Sequence, residues 1–400
     1  MQFEQTQRFE QHFNCDAIFA AKPTGAFSEL AIDFLSQLSK SLLKDKAAKA
    51  YPDLVTFAYF CRRANLHQFK EKKLSADICE QQFGVGVCLH IAPANIPMNF
   101  AFSFIMGLMA GNKNIVRLPS TSFAQIDIFL AHFDRLGQMN EFSTLAASQC
   151  FIRTARDSEK LIDLVATANA LVVWGGDTTA HYFRQLPKKV DCIDVYFPNR
   201  RSSLVINSEY LLEQDDAALA IICGQFYNDT YLVDQNACSS PSMIIWLGDN
   251  ATNDAAKEKF TQALTHYIPQ HYQLTPQARI ERLCDVMGYC QANGDKVAID
   301  EKADALWFIQ GKDYQAFNPK LGVFIEHQIK YLSQLPILLR ENEQSLTYLG
   351  VKPAALRDMI VEQQVNTLDR IVPMGQALDI GFVWDGKNMI YTLSKCITIT

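Results

Sequence analysis

Four hundred residues with 48% hydrophobic and 20% charged side chains are too apolar for a disordered chain and too many for one core, so two large lobes are expected. A formal net charge of -6 leaves no basic footprint for a phosphate backbone, which excludes nucleic acid as the expected partner. Eleven cysteines without a Cys-x-x-Cys or a neighbouring histidine cluster argue against a zinc site or disulfide framework, and most thiols are expected reduced and buried.

Residues 1–14 carry Glu4, Arg8 and Glu10 and lack the basic-then-apolar order of a secretory signal, so a cytoplasmic location is expected. Helical apolar spacing runs over 28–43 (Leu30, Phe34, Leu35, Leu38, Leu42) and continues over 52–66. The character then changes: 84–91 (GVGVCLHI) reads as a strand, followed by a Pro-Ala-Asn-Ile-Pro turn and an apolar helix ending at Ala110. That apolar stretch, 96–110, is too short to span a bilayer. A second strand is expected over 114–118 and a helix over 123–136. Further strands fall at 170–174, 191–197 and 203–207, with helices after Gly176 and over 215–227. Strand 242–247, helices 253–267 and 276–289, and segments near 307–309 and 322–325 extend the alternation. Strands alternating with helices imply parallel sheets wound by right-handed crossovers, an α/β fold. Asp385-Gly386 reads as a turn between late strands.

Three places carry chemical interest. Two prolines bracket Asn95, and an amide held in such a turn either stabilises a developing oxyanion or caps the following helix. Cys238 lies in a polar, small-residue segment (DQNACSSP) between a helix and a strand; a thiol there is accessible for nucleophilic work, whereas most free cysteines are inert hydrophobes. The run Trp174-Gly175-Gly176-Asp177-Thr178 follows an apolar strand and opens a helix. Paired glycines let a backbone approach a cofactor, and Asp177 or Thr178 as a helix cap explains the run equally well. His90, on the strand entering the Asn95 turn, is read as packing. No histidines stand at metal-ligand spacing, so no metal is expected.

The run GVGVCLHIAPANIPMNFAFSFIMGLMAGNKNIVRLPST resembles the aldehyde dehydrogenase superfamily segment in which a Pro-x-Asn-x-Pro turn supplies the oxyanion amide. Downstream, VVWGGDTT, RRSSLVI and DQNACSSP follow in the family's order, and WGGD, NIVRLPS and ACSSP are similar to LuxC-type long-chain acyl-CoA reductases. The resemblance is strong over 83–247 and fainter beyond.

It implies two parallel-sheet α/β lobes, a cofactor lobe over 1–207 and a catalytic lobe over 208–372, with a C-terminal strand pair over 373–400 serving as a bridging or oligomerisation segment. It also implies Cys238 as nucleophile and Asn95 as oxyanion donor. Cofactor contacts fall on Arg117, Ser120, Thr121, Gly175, Gly176, Asp177 and Thr178. Two departures matter. Aldehyde-oxidising relatives carry a glutamate base where 196–203 (YFPNRRSS) has no carboxylate, so water should attack an acyl-enzyme poorly. They also carry a glutamate after Pro-Ser where this chain has Thr121, a neutral group beside Arg117 that suits a 2'-phosphate. Read alone, Arg117 and Arg201 are equally surface charges; in the family frame Arg201 replaces a lysine. The implied activity is NADPH-dependent reduction of a fatty acyl-CoA or acyl-protein thioester to an aldehyde. A homo-oligomer is expected, with an acyl-activating synthetase as partner, as in luminous-bacterial members. The alternatives are a non-catalytic scaffold and a cysteine acyltransferase or thioesterase.

Overall fold

Gly86 adopts φ +134°, and a Cβ there would lie 2.4 Å from the Asn169 side-chain oxygen. This conformation breaks the strand expected over 84–91 into β1 (Gln82–Gly84) and β2 (Val87–Ile91), because only glycine turns the chain so tightly beside that amide. The computed structural model describes residues 15–76, 81–294, 297–311 and 317–397. Contacts divide the chain into two units, one comprising residues up to Pro198 with those from Ile380 onward, the other Asn199–Asp379.

In the first unit β3 (Lys113–Arg117), β4 (Gln149–Ile152), β5 (Ala170–Trp174) and β6 (Ile193–Phe197) join β2 in a sheet of order β4-β3-β2-β5-β6. Every pairing in it is parallel. Each residue of β2 and β5 is buried, as continuous apolar runs require when helices cover both sheet faces. Helices Asn99–Met109, Ala124–Gly137, Glu159–Thr167 and Asp177–Gln185 make the connections. β4 and the helix Glu159–Thr167 were not legible from periodicity.

The expected 28–43 helix is Glu29–Lys44, capped by the Ser28 hydroxyl accepting from the Ala31 N–H, whereas 52–66 divides at Cys61 into Pro52–Phe60 and the start of Arg63–Ala76. An interlocked phenylalanine cluster fixes these helices. Phe34 meets Phe133 at 5.2 Å between ring centroids, and Phe57 and Phe100 both pack edge-on to Phe129. His132 ties two of the helices through hydrogen bonds to Ser41 Oγ at 2.6 Å and Asp45 Oδ2 at 2.8 Å.

The second unit contains β7 (Arg201–Asn207), β8 (Pro241–Leu247), β9 (Ala298–Ala303), β10 (Leu306–Gln310), β11 (Val323–Ile329), β12 (Glu343–Leu349) and β13 (Arg370–Pro373). Their order is β13-β12-β7-β8-β11-β10-β9. All pair in parallel except β9, which runs antiparallel along β10 at the edge. Separate apolar clusters cover the two faces, one around Phe226, Trp246, Phe260 and Phe324, the other around Val205, Met243, Ile325 and Leu346. The strand expected over 203–207 to close the first lobe lies within Arg201–Asn207, which belongs to this second sheet because its backbone partners are β8 and β12 and not β6. Contacts divide the chain after Pro198 and again after Asp379; the expected bounds were 207 and 372.

The tail carries two strand pairs. β14 (Val383–Trp384) and β15 (Lys387–Asn388) form a hairpin, whose turn residues Asp385 and Gly386 both have positive φ, the twist-matching geometry of a two-residue loop. β16 (Ser394–Cys396) pairs antiparallel with β1. Among the described cysteines only Cys61, Cys88 and Cys223 are buried and Cys284 is exposed, so burial is less general than expected. Cys396 is disulfide-bonded, a departure from the expected absence of bridges. Among the described residues no helix is long and apolar enough to cross a membrane.

Candidate active site

A parallel sheet puts the carboxyl ends of its strands along one edge. In the first unit Ile91 pairs with Arg117 and Val173, Arg117 with Ile152, and Trp174 with Phe197. The Asn95 turn, the 118–123 loop with Ser120 and Thr121, the 153–158 loop and Gly175-Gly176 therefore all leave the same edge. The strand order reverses between β2 and β5, the switch point at which open α/β sheets receive ligands. Asn95 leaves one of these two strands and Gly175 the other.

Asn95 is exposed in a bend. The helix Asn99–Met109 begins after Met98 and has no side-chain cap, so the capping alternative for Asn95 does not apply. Among the described residues its amide has no hydrogen-bond partner, which leaves it available to a ligand.

Gly176 is the N-cap of Asp177–Gln185, with no side-chain cap; neither Asp177 nor Thr178 fills that role. Its φ of -60° is open to any residue, and a Cβ there would meet nothing within 4 Å. Among the described residues nothing requires glycine at 176, and the space beside it is open. Gly175 differs: a Cβ there would meet the Thr179 side chain at 3.1 Å, so that glycine serves the turn itself.

Thr121 and Ser120 are exposed. Arg117 is half-buried and donates through Nε to the Thr154 carbonyl at 3.1 Å, with its Nη groups unmatched among the described residues. Burial and the neighbouring Arg156 guanidinium lower its pKa. Arg153 Nη1 donates to the Pro119 carbonyl at 3.1 Å, tethering the Thr121 loop to the same basic segment. A dinucleotide with an extra phosphate fits this edge chemically: an uncapped helix turn with space at Gly176, and unmatched guanidinium donors on Arg117 at the end of the strand that leads to Thr121.

A buried polar chain behind this edge was not legible in the sequence. His90 is fully buried, with Nδ1 2.7 Å from Ser103 Oγ and Nε2 2.9 Å from Asn114 Oδ1. The Trp174 indole stacks on Phe197 at 3.8 Å and meets Trp384 edge-on at 5.5 Å. The only available signal was the co-occurrence of His90, Ser103, Asn114 and Trp174 on strands and a helix that pack together, which periodicity does not reveal.

Cys238 belongs to the second unit, at the amino edge of its sheet. After the helix Asp216–Asp229 and a single turn Tyr231–Val233, Asp234 and Gln235 take left-handed φ values of 53° and 56°, reversing the chain before β8. The Gln235 side chain pins this reversal by donating to the Pro241 and Val323 carbonyls at 2.9 and 3.1 Å and accepting from the Gly322 N–H at 3.0 Å. Nearer the thiol, Ser240 N–H donates to the Ala237 carbonyl at 3.0 Å and the Ser202 hydroxyl to the Cys238 carbonyl at 2.7 Å. Cys238 is partly exposed. By contrast, burial pushes the thiols of Cys61 and Cys88 up, and that of Cys223 to about 11, which removes them as nucleophiles at neutral pH.

The segment 196–203 has no carboxylate of its own, and its parts separate. Phe197 ends β6 and is buried. Arg200 is paired with Asp369. Arg201 is 6% exposed and donates to the Phe317 carbonyl at 2.7 Å, so it is an internal residue and not surface charge. A carboxylate from elsewhere, Glu343, reaches the Ser203 hydroxyl, but it is fully buried and paired with Arg340 at 3.0 Å, which leaves it no access to water as a base. Among the described residues no group of three or more His, Cys, Asp or Glu side chains could hold a metal ion.

The fold is that of the aldehyde dehydrogenases. The structure is similar to aldehyde dehydrogenase 21 from Physcomitrella patens, solved with succinate, with a TM-score of 0.66 and 12% identity over 95% of this chain and 88% of that one. It is also similar to the glyceraldehyde-3-phosphate dehydrogenase GapN from Methanocaldococcus jannaschii, solved with NADP, at TM-score 0.64 and 11% identity over 98% and 91%. In sequence the chain is 24% identical over 310 residues to a long-chain acyl-protein thioester reductase of Vibrio harveyi, covering 72% of this chain and 60% of that protein; it thus spans about three fifths of the length of that curated relative. A family model described as acyl-CoA reductase (LuxC) matches residues 33–395, nearly the whole sequence, and the chain belongs to that family.

Proposed function

We propose that this chain reduces an activated fatty acyl thioester to the aldehyde, with Cys238 as nucleophile and NADPH as reductant. The observation that carries the reading is the Cys238 loop: a partly exposed thiol between two pinned carbonyls, with no accessible carboxylate on 196–203. The Cys238 sulfur attacks the acyl carbon, and the oxyanion accepts from the Asn95 amide and the Cys238 backbone N–H. The carbon–sulfur bond of the donor breaks, its thiol leaves with a proton, and an acyl-cysteine thioester remains. NADPH, when bound, would supply a hydride to the acyl carbon; the carbon–sulfur bond to Cys238 then breaks, releasing aldehyde and the Cys238 thiolate. With no carboxylate on 196–203 to activate water, the acyl-cysteine waits for reduction in preference to hydrolysis.

Arg117 and Thr121, with Ser120, receive the 2'-phosphate; Gly175 and Gly176 admit the dinucleotide, and Asp177 and Thr178 hold its hydroxyls. The name of the Vibrio harveyi relative favours an acylated protein as donor, and the family description adds acyl-CoA. An acyl-activating synthetase as partner, self-association through the C-terminal segment and a cytoplasmic location complete the proposal.

The test is incubation of purified protein with labelled fatty acyl-CoA and NADPH. Label should appear on the native protein and not on Cys238→Ser, because a serine hydroxyl without a base is a far weaker nucleophile than a thiolate, and NADPH should be consumed as aldehyde forms. Labelling without NADPH consumption makes the protein an acyltransferase or thioesterase. Neither makes it a scaffold.

A further inference from the structure

We infer that Ser202 is a positioning residue for Cys238, setting the direction of the peptide groups on which the nucleophile is hung. This rests on the assignment of Cys238 as nucleophile. Ser202 is the second residue of β7 and wholly buried. Its hydroxyl accepts from the Ser345 N–H at 3.2 Å and donates to the Cys238 carbonyl at 2.7 Å, so its one proton has a fixed destination. On the other side of the thiol the Ala237 carbonyl is held by the Ser240 N–H.

A trans peptide places each N–H opposite its carbonyl. Fixing the Ala237 and Cys238 carbonyls therefore fixes the N–H groups of Cys238 and Ser239, the donors nearest to charge developing beside the sulfur. It also fixes the backbone angles that aim the Cys238 side chain. Dipoles set in advance need no reorganisation when charge appears.

The backbone around Ser202 is irregular on both sides. The register of β7 with β8 shifts between Ser202 and Ser203, and that of β12 with β7 shifts between Glu343 and Ser345. Such irregularities re-aim side chains at the rims of sheets. Here the Ser345 N–H goes to a side-chain oxygen.

A buried ion pair braces the irregularity. Arg340 Nε meets Glu343 at 3.0 Å, Arg340 Nη2 donates to Ser242 Oγ at 3.3 Å, and Ser242 Oγ donates to the Ser202 carbonyl at 3.4 Å; Glu343 also takes the Ser203 hydroxyl. Arg340 and Glu343 are 1% and 0% exposed. Desolvating two charges is costly, so such a pair is better understood as fixing register than as adding stability. It locks the starts of β7, β8 and β12 beneath the nucleophile.

The experiment compares native protein, Ser202→Ala, Ser202→Thr and Cys238→Ser. Single-turnover labelling by fatty acyl-CoA gives the acylation rate, and iodoacetamide alkylation of the Cys238 peptide, followed by mass across pH, gives the thiolate profile. Ser202→Ala should slow acylation about 10- to 100-fold, the scale for a misplaced reacting group. Its alkylation profile should shift to higher pH, with NADPH affinity and the KM for acyl-CoA within about twofold of native. Ser202→Thr, which keeps the hydroxyl, should recover to within about threefold. If Ser202→Ala does not fold, Ser202→Cys, similar in volume and a weak donor, carries the same expectation. A native rate and pH profile in the hydroxyl-less variant overturns the inference, as does a threonine variant that fails equally while folded. Equal labelling of Cys238→Ser would instead overturn the nucleophile assignment beneath it.

Discussion

The Trp174 indole N–H donates to the Ser103 hydroxyl at 2.8 Å, tying the last residue of β5 to the helix that follows β2. Asn114 Oδ1 can only accept, so His90 Nε2 carries the proton it receives, and in the neutral ring Nδ1 accepts the Ser103 proton. The Asn114 amide then donates to Gln149 Oε1 at 2.6 Å and to the Asn112 carbonyl at 3.1 Å. Protonation of the ring would turn Nδ1 into a donor and take away the acceptor of the Ser103 proton, so the network suits a neutral His90.

Burial holds His90 at about 4, below its ordinary 6.5. As pH falls from 6.5 toward 4 the unfolded chain takes up a proton that the folded chain refuses, so stability is full above about 6.5 and declines below it. Native protein should lose stability across this window in urea titrations, and His90→Gln should lose less. Ser103→Ala, which strands the Trp174 N–H and the His90 nitrogen, should cost about 1–3 kcal/mol at neutral pH. Identical pH slopes for native protein and His90→Gln would contradict a buried neutral histidine.

Asn95→Ala separates two roles by two readouts. Among the described residues the amide neither caps a helix nor has a hydrogen-bond partner, so folding stability should change by no more than a surface substitution does, about 0.5 kcal/mol. Turnover should fall about 100- to 1000-fold, the cost of one oxyanion donor. More than half of native turnover in the variant would remove Asn95 from the reaction.

Thr121 tests cofactor choice. The native enzyme should prefer NADPH to NADH, and Thr121→Glu should reverse the preference by setting a carboxylate against the 2'-phosphate. Because Thr121 is exposed, folding should be unaffected. A native preference for NADH, measured by steady-state kinetics with each cofactor, would refute this account of Thr121 and leave the Cys238 chemistry standing.

The alternating strands and helices, the buried apolar runs at β2 and β5, and the Asp385-Gly386 turn were all present in the linear pattern, because local periodicity and turn chemistry are properties of neighbouring residues. So was the candidacy of Asn95, Cys238 and the Gly175-Gly176 turn, through their order along the chain. What only the tertiary structure decided were choices between partners distant in sequence. β7 pairs with β8 and β12 and so leaves the first unit; β16 returns to β1; and Glu343 arrives at Ser203 from a strand far along the chain. The same holds for which hydroxyl holds the Cys238 carbonyl and for the burial that lowers the pKa of His90. Backbone pairing and burial bring those groups together, and no spacing in one dimension encodes a distance that folding alone creates.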